Sequence, residues 1–153
     1  MFPTRGAASG TTAAFDIIRT HVSGRCAAEG KLAYLLPSGK RITHASDILF
    51  DVRRSTAESR AHRHISLEIK HTSAVTDQFK CRAFDMLHLK KEFGPALIGV
   101  LLFARAGQGI GFEQARAISY PFDAFVAVDL LTMEPASWWD EIVEIIERQL
   151  DAS

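Results

Sequence analysis

Hydrophobic and polar residues alternate along two stretches in the first half of the chain, Ser46–Val52 and His64–Lys70. Successive side chains of a strand point to opposite faces, so each stretch predicts a β-strand with one apolar and one polar face. The polar stretch Arg53–Arg63 separates them, and the whole segment predicts an antiparallel hairpin with a long tip. The polar face of this hairpin would carry Asp47, Asp51, His64, Ser66, Glu68 and Lys70.

Apolar residues recur at helical spacing in several other segments. They predict a helix from Thr11 to a stop at Gly30, a second from a cap at Thr76 to about Phe93, a short one over Phe112–Ile118, and a terminal one over Trp138–Leu150. Further strands are predicted over Lys31–Leu36, Ala96–Ala104 and Phe122–Leu130. The run Ala96–Ala104 is apolar throughout, which is typical of a strand covered on both faces. The glycines at 107, 109 and 111 predict a turn.

The predicted order is helix, three strands, helix, strand, short helix, strand, helix. The long helix and the buried strand after it form an α/β crossover beside the antiparallel hairpin. The sequence therefore predicts an α/β protein, a three-layer α/β/α sandwich with a central mixed β-sheet. A length of 153 residues suits a single domain over 1–153, with residues 1–10 as a loose N-terminal leader.

Composition narrows the class of protein. Lys+Arg and Asp+Glu both number 18, and zero net charge counts against a protein that coats nucleic acid nonspecifically, although it allows a local basic groove. Cys26 and Cys81 lie far apart within helical patterns, so we expect buried free thiols and no disulfide framework or zinc ribbon. Met1–Gly10 lacks the apolar core of a signal peptide, and Pro95–Ala104 is too short to cross a bilayer. We therefore expect a cytoplasmic protein.

The candidate chemistry lies at one end of the hairpin. If its tip is near Glu58–Ser59, position 47 pairs roughly with 70 and position 49 with 68, so Asp47, Glu68 and Lys70 share a face. Directly opposed Cβ atoms are only about 5 Å apart. Two carboxylates at that separation repel each other unless a cation lies between them, and Mg²⁺ prefers oxygen ligands. Lys70 could hold an attacking water or stabilise a charged transition state.

These residues resemble the PD-(D/E)XK nuclease superfamily. Asp47 precedes the hydrophobic run Ile48–Phe50, and Glu68-Ile69-Lys70 ends an alternating strand that a helix follows. The resemblance covers about residues 11–130, including the order α-β-β-β-α-β, with Ser46 in place of the proline of the family name. It implies that Asp47, Glu68 and the backbone carbonyl of Ile69 bind one or two Mg²⁺ ions, which Mn²⁺ can replace. It also implies that Lys70 orients the hydrolytic water.

The long helix carries further candidates on one side, Gln78, Arg82 and Asp85. The resemblance implies that Gln78 lies near the metal as a catalytic residue, with Lys80 as a weaker substitute. Arg82 would contact a phosphate. A polar, solvated helix face is the alternative for these residues. Glu29, late in the first helix, is either an extra carboxylate of the metal shell or part of a solvated helix end.

The hairpin tip contains the strongest concentration of basic residues in the chain. Arg53, Arg54 and Arg63 could hold a nucleic-acid backbone, a mobile tip being the alternative. The tip has no aromatic residue for base stacking. Asp51 competes with Asp47 as the metal ligand, or else it pairs with Arg53 or Arg63. The histidines show no metal-ligand spacing.

The primary expectation is a Mg²⁺-dependent nuclease that hydrolyses DNA, a restriction, junction-resolving, defence or repair endonuclease. One alternative is a non-catalytic nucleic-acid-binding or assembly module on the same fold, and another is a nuclease toxin domain that cuts tRNA or DNA. A third is an unrelated α/β domain with Glu68 and Lys70 on its surface. The broad apolar stripe that begins at Trp138-Trp139 packs on the sheet or forms a homodimer contact, which would supply two sites for cutting a duplex.

Overall fold

The structure is a computed structural model, and it describes residues 24–28, 30–55, 60–71, 75–132, 140–145 and 147–148. Side chains are described in these ranges except at 24–28, 52–62 and 71. The N-terminal leader, most of the first predicted helix, the candidate Glu29 and the Trp138-Trp139 pair lie outside the described residues.

A five-stranded sheet and a two-stranded ribbon make up the β-structure of the described residues. The strands are β1 (Gly24–Ala28), β2 (Lys31–Leu35), β3 (Arg41–Ala45), β4 (Ile48–Ser55), β5 (Arg60–His71), β6 (Leu97–Arg105) and β7 (Ala124–Asp129). The sheet has the order β1-β4-β5-β6-β7, in which β4 is antiparallel to both of its neighbours and β5, β6 and β7 are parallel. The ribbon pairs β2 with β3 antiparallel. The central sheet is therefore mixed, as predicted.

Helices cover both faces of this sheet. The helices are α1 (Thr76–Phe93), a 3₁₀ turn (Gly94–Ala96) and α2 (Phe112–Ile118), and residues 140–145 are also helical. On one face the apolar side chains of β4 and β5 pack with Ile142 and Ile145. On the other face the sheet packs against Phe79, Met86 and Leu89 of α1 and against the ribbon. Both clusters include residues of β6, which explains why this strand is apolar up to Ala104. Layers on both faces of the sheet confirm the three-layer α/β/α prediction within the described residues.

The prediction of a helix is wrong for residues 24–28, which form strand β1. Residues 24–28 pair with β4, and Cys26 lies opposite Phe50. Helical spacing of apolar residues is a local signal, whereas the backbone groups of β4 need hydrogen-bond partners that a strand supplies. Cys26 therefore lies in a strand and not in a helix. Strand β3, over Arg41–Ala45, also was not predicted from the sequence.

The β4–β5 hairpin is antiparallel as predicted, but its register differs by two residues from the assumed one. Leu49 pairs with Ser66 and not with Glu68, and the ladder continues to the pair Ser55–Arg60. Most of the basic stretch consequently lies within the strands and not in a long tip. Because the shift is an even number, the side chains keep the faces that the alternation predicted.

Helix α1 spans the predicted residues, with Val75 and not Thr76 as its N-cap. The side-chain Oε1 of Gln78 accepts a hydrogen bond from the Val75 N–H at 3.1 Å, which satisfies a backbone donor at the helix start. Cys81, expected to be buried, is exposed on this helix. Among the described residues, no helix is long and apolar enough to cross a membrane.

Gly30 packs closely against Leu49 of β4. A Cβ added at Gly30 would lie 2.5 Å from the Leu49 Cβ, an atom that cannot move without its backbone. We expect Gly30→Ala to lower the free energy of unfolding by about 1–3 kcal/mol, measured by urea denaturation. The control is Gly111→Ala, whose new methyl group would meet no atom within 4 Å and should change that free energy by less than about 1 kcal/mol. An equal decrease in the free energy of unfolding in both variants would contradict a clash between the new methyl group and Leu49.

Candidate active site

Asp47 lies directly before β4, beside the Glu68-Ile69-Lys70 segment of β5. Its Oδ2 accepts a hydrogen bond from the backbone N–H of Ile69 at 2.7 Å. Since Ile69 lies between Glu68 and Lys70, this bond holds the Asp47 carboxylate against the backbone of the predicted motif. The charges of Asp47 and Glu68 both act on the Lys70 ammonium group. The structure therefore brings the three predicted residues together.

The two carboxylate oxygens of Glu68 have very different surroundings. The side chain is fully buried, and its Oε1 lies 2.5 Å from His44 Nε2 and 3.3 Å from the Ser66 hydroxyl. Its Oε2 is buried and has no hydrogen-bond partner among the described residues, although it forms an ion pair with the Arg82 Nε at 3.7 Å. A buried acceptor that lacks a partner costs about 1–3 kcal/mol. Glu68 Oε2 is thus an atom that a bound cation would satisfy.

A chain of side-chain hydrogen bonds extends from Glu68 into the ribbon and α1. Nδ1 of His44, in β3, lies 3.1 Å from Asp85 Oδ2, and the Tyr34 hydroxyl of β2 donates to Asp85 Oδ1 at 2.7 Å. Ser46 and Ser66 extend the polar cluster, with their hydroxyl oxygens 2.7 Å apart. Residues from β2, β3, β5 and α1 therefore meet at one buried polar cluster.

His44 is positively charged in this arrangement at neutral pH. Burial of the imidazole lowers its pKa, but the hydrogen bonds to Asp85 and Glu68 and the charges of both carboxylates raise the pKa to about 9. The same contacts with His44 lower the pKa of Asp85 against the opposing effect of its partial burial. His44 thus joins two carboxylates as an imidazolium that donates from both ring nitrogens.

Lys70 is half-buried, and its pKa is lowered by that burial and by the neighbouring Arg82 guanidinium. The charges of Asp47 and Glu68 oppose the shift. Three cationic groups, His44, Lys70 and Arg82, therefore share this region with the carboxylates of Asp47, Glu68 and Asp85. No cluster of three or more His, Cys, Asp or Glu side chains with metal-site geometry occurs among the described residues. A divalent ion would therefore take its side-chain ligands from Asp47 and Glu68 and fill its shell with backbone oxygen and water, as Mg²⁺ does.

Other predicted candidates lie in different settings. Arg82 reaches the Glu68 carboxylate, whereas Gln78 is exposed and its side chain caps α1. Lys80 is exposed on α1. Asp51 pairs with His64 across the hairpin, so it lies further along the sheet than Asp47. Arg53, Arg54 and Arg63 are ladder residues of β4 and β5; the side chains of the first two lie outside the description.

The sequence did not single out His44 or Tyr34 as site residues. Asp85 was on the predicted polar side of α1, but no partner was assigned to it. His44 and Ile42 share one face of the five-residue strand β3, while the residues between and beside them are exposed, which marks that face as pointing inward. That weak period-two signal is the one that could have identified it. Its contacts with Glu68 and Asp85 join residues 24 and 41 positions apart, which local patterns do not predict.

An open cavity adjoins the cluster on the side of α1 and the ribbon. Its volume is about 450 Å³, and its lining includes Tyr34, Ile42, Lys80, Phe84 and Asp85. Small-molecule and cofactor sites commonly have volumes of this order. The Asp85 end of the cluster is therefore next to open space.

Comparisons with known proteins gave low-level structural likenesses. No family model and no curated protein sequence matches this chain. A solved structure described as "DNA modification-dependent restriction endonuclease AspBHI" aligns with a TM-score of 0.41 and 12% identity, covering 97% of this chain and 35% of that one. The structure described as "MspJI Restriction Endonuclease in Complex with 27-mer Oligonucleotide" aligns with a TM-score of 0.37 and 12% identity, covering 95% and 28%. This chain thus spans about a third of those chains, and likenesses at this level assign it to no family.

Proposed function

We propose that this protein is a Mg²⁺-dependent nuclease that hydrolyses phosphodiester bonds, with DNA as its substrate. The observation that carries the proposal is the buried Oε2 of Glu68, which accepts no hydrogen bond from the described residues, beside the tethered carboxylate of Asp47 and the half-buried Lys70. Two carboxylates and a lysine on one sheet face provide ligands for a hard cation and a group to orient water. The resemblance of Asp47 and Glu68-Ile69-Lys70 to the PD-(D/E)XK pattern supports the same reading.

In this proposal Asp47, Glu68 and the Ile69 carbonyl hold the metal. When bound, the ion acidifies a water ligand and offsets charge on the phosphate oxygens. The hydrogen bond from the Ile69 N–H fixes one oxygen of Asp47 and leaves the other available for binding. Lys70 orients the attacking water or donates to a phosphate oxygen. Arg82 is 28% exposed, with its Nε 3.7 Å from Glu68 Oε2, and would turn to a phosphate oxygen when the metal occupies Oε2.

The substrate assignment rests on charge placed along the hairpin. Arg53, Arg54 and Arg63 lie in β4 and β5, the strands that also carry the proposed site. By strand alternation Arg53 shares the face of Glu68 and would contact a phosphate there, whereas Arg54 and Arg63 fall on the opposite face of the hairpin. A restriction, junction-resolving, defence or repair endonuclease fits this arrangement, and a homodimer would supply two sites for cutting both strands. In the structure Gln78 accepts a hydrogen bond from the Val75 N–H at the start of α1. Its side chain would have to leave that hydrogen bond to reach the site.

The test combines cleavage and metal binding. The full chain would be incubated with plasmid, linear and branched DNA and with RNA in Mg²⁺ or Mn²⁺, with EDTA as the metal-removal control. We expect cleavage of DNA that EDTA abolishes. We also expect Glu68→Gln, which keeps an oxygen for His44 to bond, to weaken Mn²⁺ binding by about tenfold or more in calorimetric titration. A wild-type chain that neither binds Mn²⁺ nor cuts any substrate would refute the proposal.

A second candidate is a non-catalytic nucleic-acid-binding or assembly module. The observation that favours it is the match of His44, Lys70 and Arg82 to the three carboxylates, since a charge-balanced cluster can be purely structural. If the protein is such a module, we expect it to bind DNA without cleaving it in Mg²⁺ or Mn²⁺. The cleavage assay therefore distinguishes the two, because they differ in products and not in affinity for DNA.

A further inference from the structure

We infer that His44 is a positioning residue that fixes the Glu68 carboxylate so that Oε2 is presented to the metal. The inference rests on the proposed function and extends the site from the main sheet to the β2–β3 ribbon. It would make the ribbon an outer support of the metal centre. Outer partners of metal-binding carboxylates commonly set their orientation and strength as ligands.

The two carboxylate oxygens of Glu68 differ in their contacts. Oε1 has two neighbours, the His44 ring nitrogen at 2.5 Å and the Ser66 hydroxyl at 3.3 Å. Within the described part of the chain Oε2 has no hydrogen-bond partner, since the Arg82 Nε, its ion-pair partner at 3.7 Å, is beyond hydrogen-bond distance. Once Oε1 is held, the plane of the carboxylate is set and the place of Oε2 follows. His44 therefore determines which oxygen is left for a ligand.

His44 is itself held at its other end. Asp85 Oδ2 lies 3.1 Å from Nδ1, and the Tyr34 hydroxyl donates to the second oxygen of Asp85 at 2.7 Å. The imidazole is 4% exposed, so it has little freedom to leave this position. Tyr34, Asp85 and His44 thus form a chain of hydrogen bonds that supports Glu68 at its Oε1.

The oxygen of Glu68 that lacks a hydrogen bond distinguishes a positioning role of His44 from a purely structural one. A buried network whose purpose is structural satisfies its members, since each orphaned acceptor weakens the fold. Here the support satisfies Oε1 of Glu68 and leaves Oε2, the atom nearest to Arg82, without a donor. The network therefore ends at a ligand position.

Two polar substitutions at one position test this inference. In His44→Gln the amide nitrogen takes the place of Nε2 and can still donate to Glu68. In His44→Asn the amide reaches the place of Nδ1, toward Asp85, and leaves Glu68 without its donor. We expect His44→Gln to bind Mn²⁺ within about threefold of wild type and His44→Asn to bind it 10–100-fold more weakly in calorimetric titration of the full chain.

Controls separate the possible failures. Thr43→Ala, an exposed change on the same strand, should leave the Mn²⁺ affinity unchanged. Circular dichroism and urea denaturation verify that both His44 variants are folded, and rescue by Gln but not Asn is a pattern that general loss of stability does not produce. Equal Mn²⁺ affinities for the Asn and Gln variants would overturn the inference while leaving the proposed function intact. Absence of Mn²⁺ binding in the wild type would overturn both.

Discussion

Lys70→Met is expected to slow metal-dependent DNA cleavage by on the order of 10²–10³-fold, the loss typical of removing one stabilising group from an active site. Methionine fills the space of the lysine stem but provides no ammonium group. Because Lys70 is not a metal ligand in the proposal, Mn²⁺ affinity should change by less than about threefold. The effect should therefore appear in the rate at saturating metal and DNA.

The surroundings of Lys70 explain the expected size of this effect. Burial and the Arg82 guanidinium lower the pKa of its ammonium, while the charges of Asp47 and Glu68 oppose that shift. A half-buried ammonium is less screened by water than an exposed one, so its interaction with a developing charge is stronger. A surface lysine in the same position would contribute much less.

Lys91→Met is the matched control for this substitution. Lys91 lies exposed in the last turn of α1. Its replacement by methionine therefore removes an equal charge from a part of the chain far from Glu68. We expect its cleavage rate to stay within about twofold of wild type. Single-turnover assays with excess enzyme would measure all three proteins. A wild-type cleavage rate for Lys70→Met would show that Lys70 takes no part in the proposed reaction.

Alternation along the chain predicted the face of the site but not its register. Period-two patterning places Glu68 and Lys70 on one face of β5, and the two-residue shift keeps that face in common with Leu49 because an even shift preserves the face. The pair Leu49–Ser66 depends on where the turn forms and on packing against β6, and neither is encoded in the alternation. Asp47 consequently reaches the Ile69 N–H and not the position opposite Lys70 that was assumed.

Long-range partners explain what the sequence patterns missed. The segment before Gly30 satisfied helical spacing, yet Gly24–Ala28 pairs with β4, 20 to 28 residues away. His44 contacts Glu68 and Asp85 because the ribbon folds against α1, and no local motif records that approach. By contrast, the limits of α1 and α2 follow from contiguous signals and were predicted closely.

The metal-free chain is expected to lose about 3 kcal/mol of stability from His44 as the pH rises from about 6.5 to about 9. In the folded chain the pKa of His44 is raised to about 9, against an ordinary value of 6.5. Between those values the folded chain binds a proton that the unfolded chain has released, so stability falls with rising pH. The contribution is complete below about pH 6.5 and is lost as the pH passes the folded pKa.

Neighbouring groups titrate outside this window or act in the opposite direction. The pKa of Asp85 is lowered, so its contribution is lost only in acid, and the raised pKa of Tyr34 matters only above the ordinary phenol range. The lowered pKa of Lys70 means that its charged form is disfavoured on folding, so rising alkaline pH relieves a penalty and adds stability. The His44 effect must therefore be isolated by a difference between two proteins and not read from wild type alone.

His44→Gln provides that difference, since it cannot titrate but retains a donor to Glu68. Urea denaturation in EDTA between pH 6 and 9.5 would give the free energy of unfolding for both proteins. We expect the advantage of wild type over the variant to be largest near pH 6 and to shrink by about 3 kcal/mol by pH 9.5. The imidazolium is held between two carboxylates from β5 and α1, so the loss reports the bond between the ribbon and the proposed site. Parallel curves for the two proteins would mean that folding does not raise the pKa of His44 and that its contacts with Glu68 and Asp85 do not favour the imidazolium.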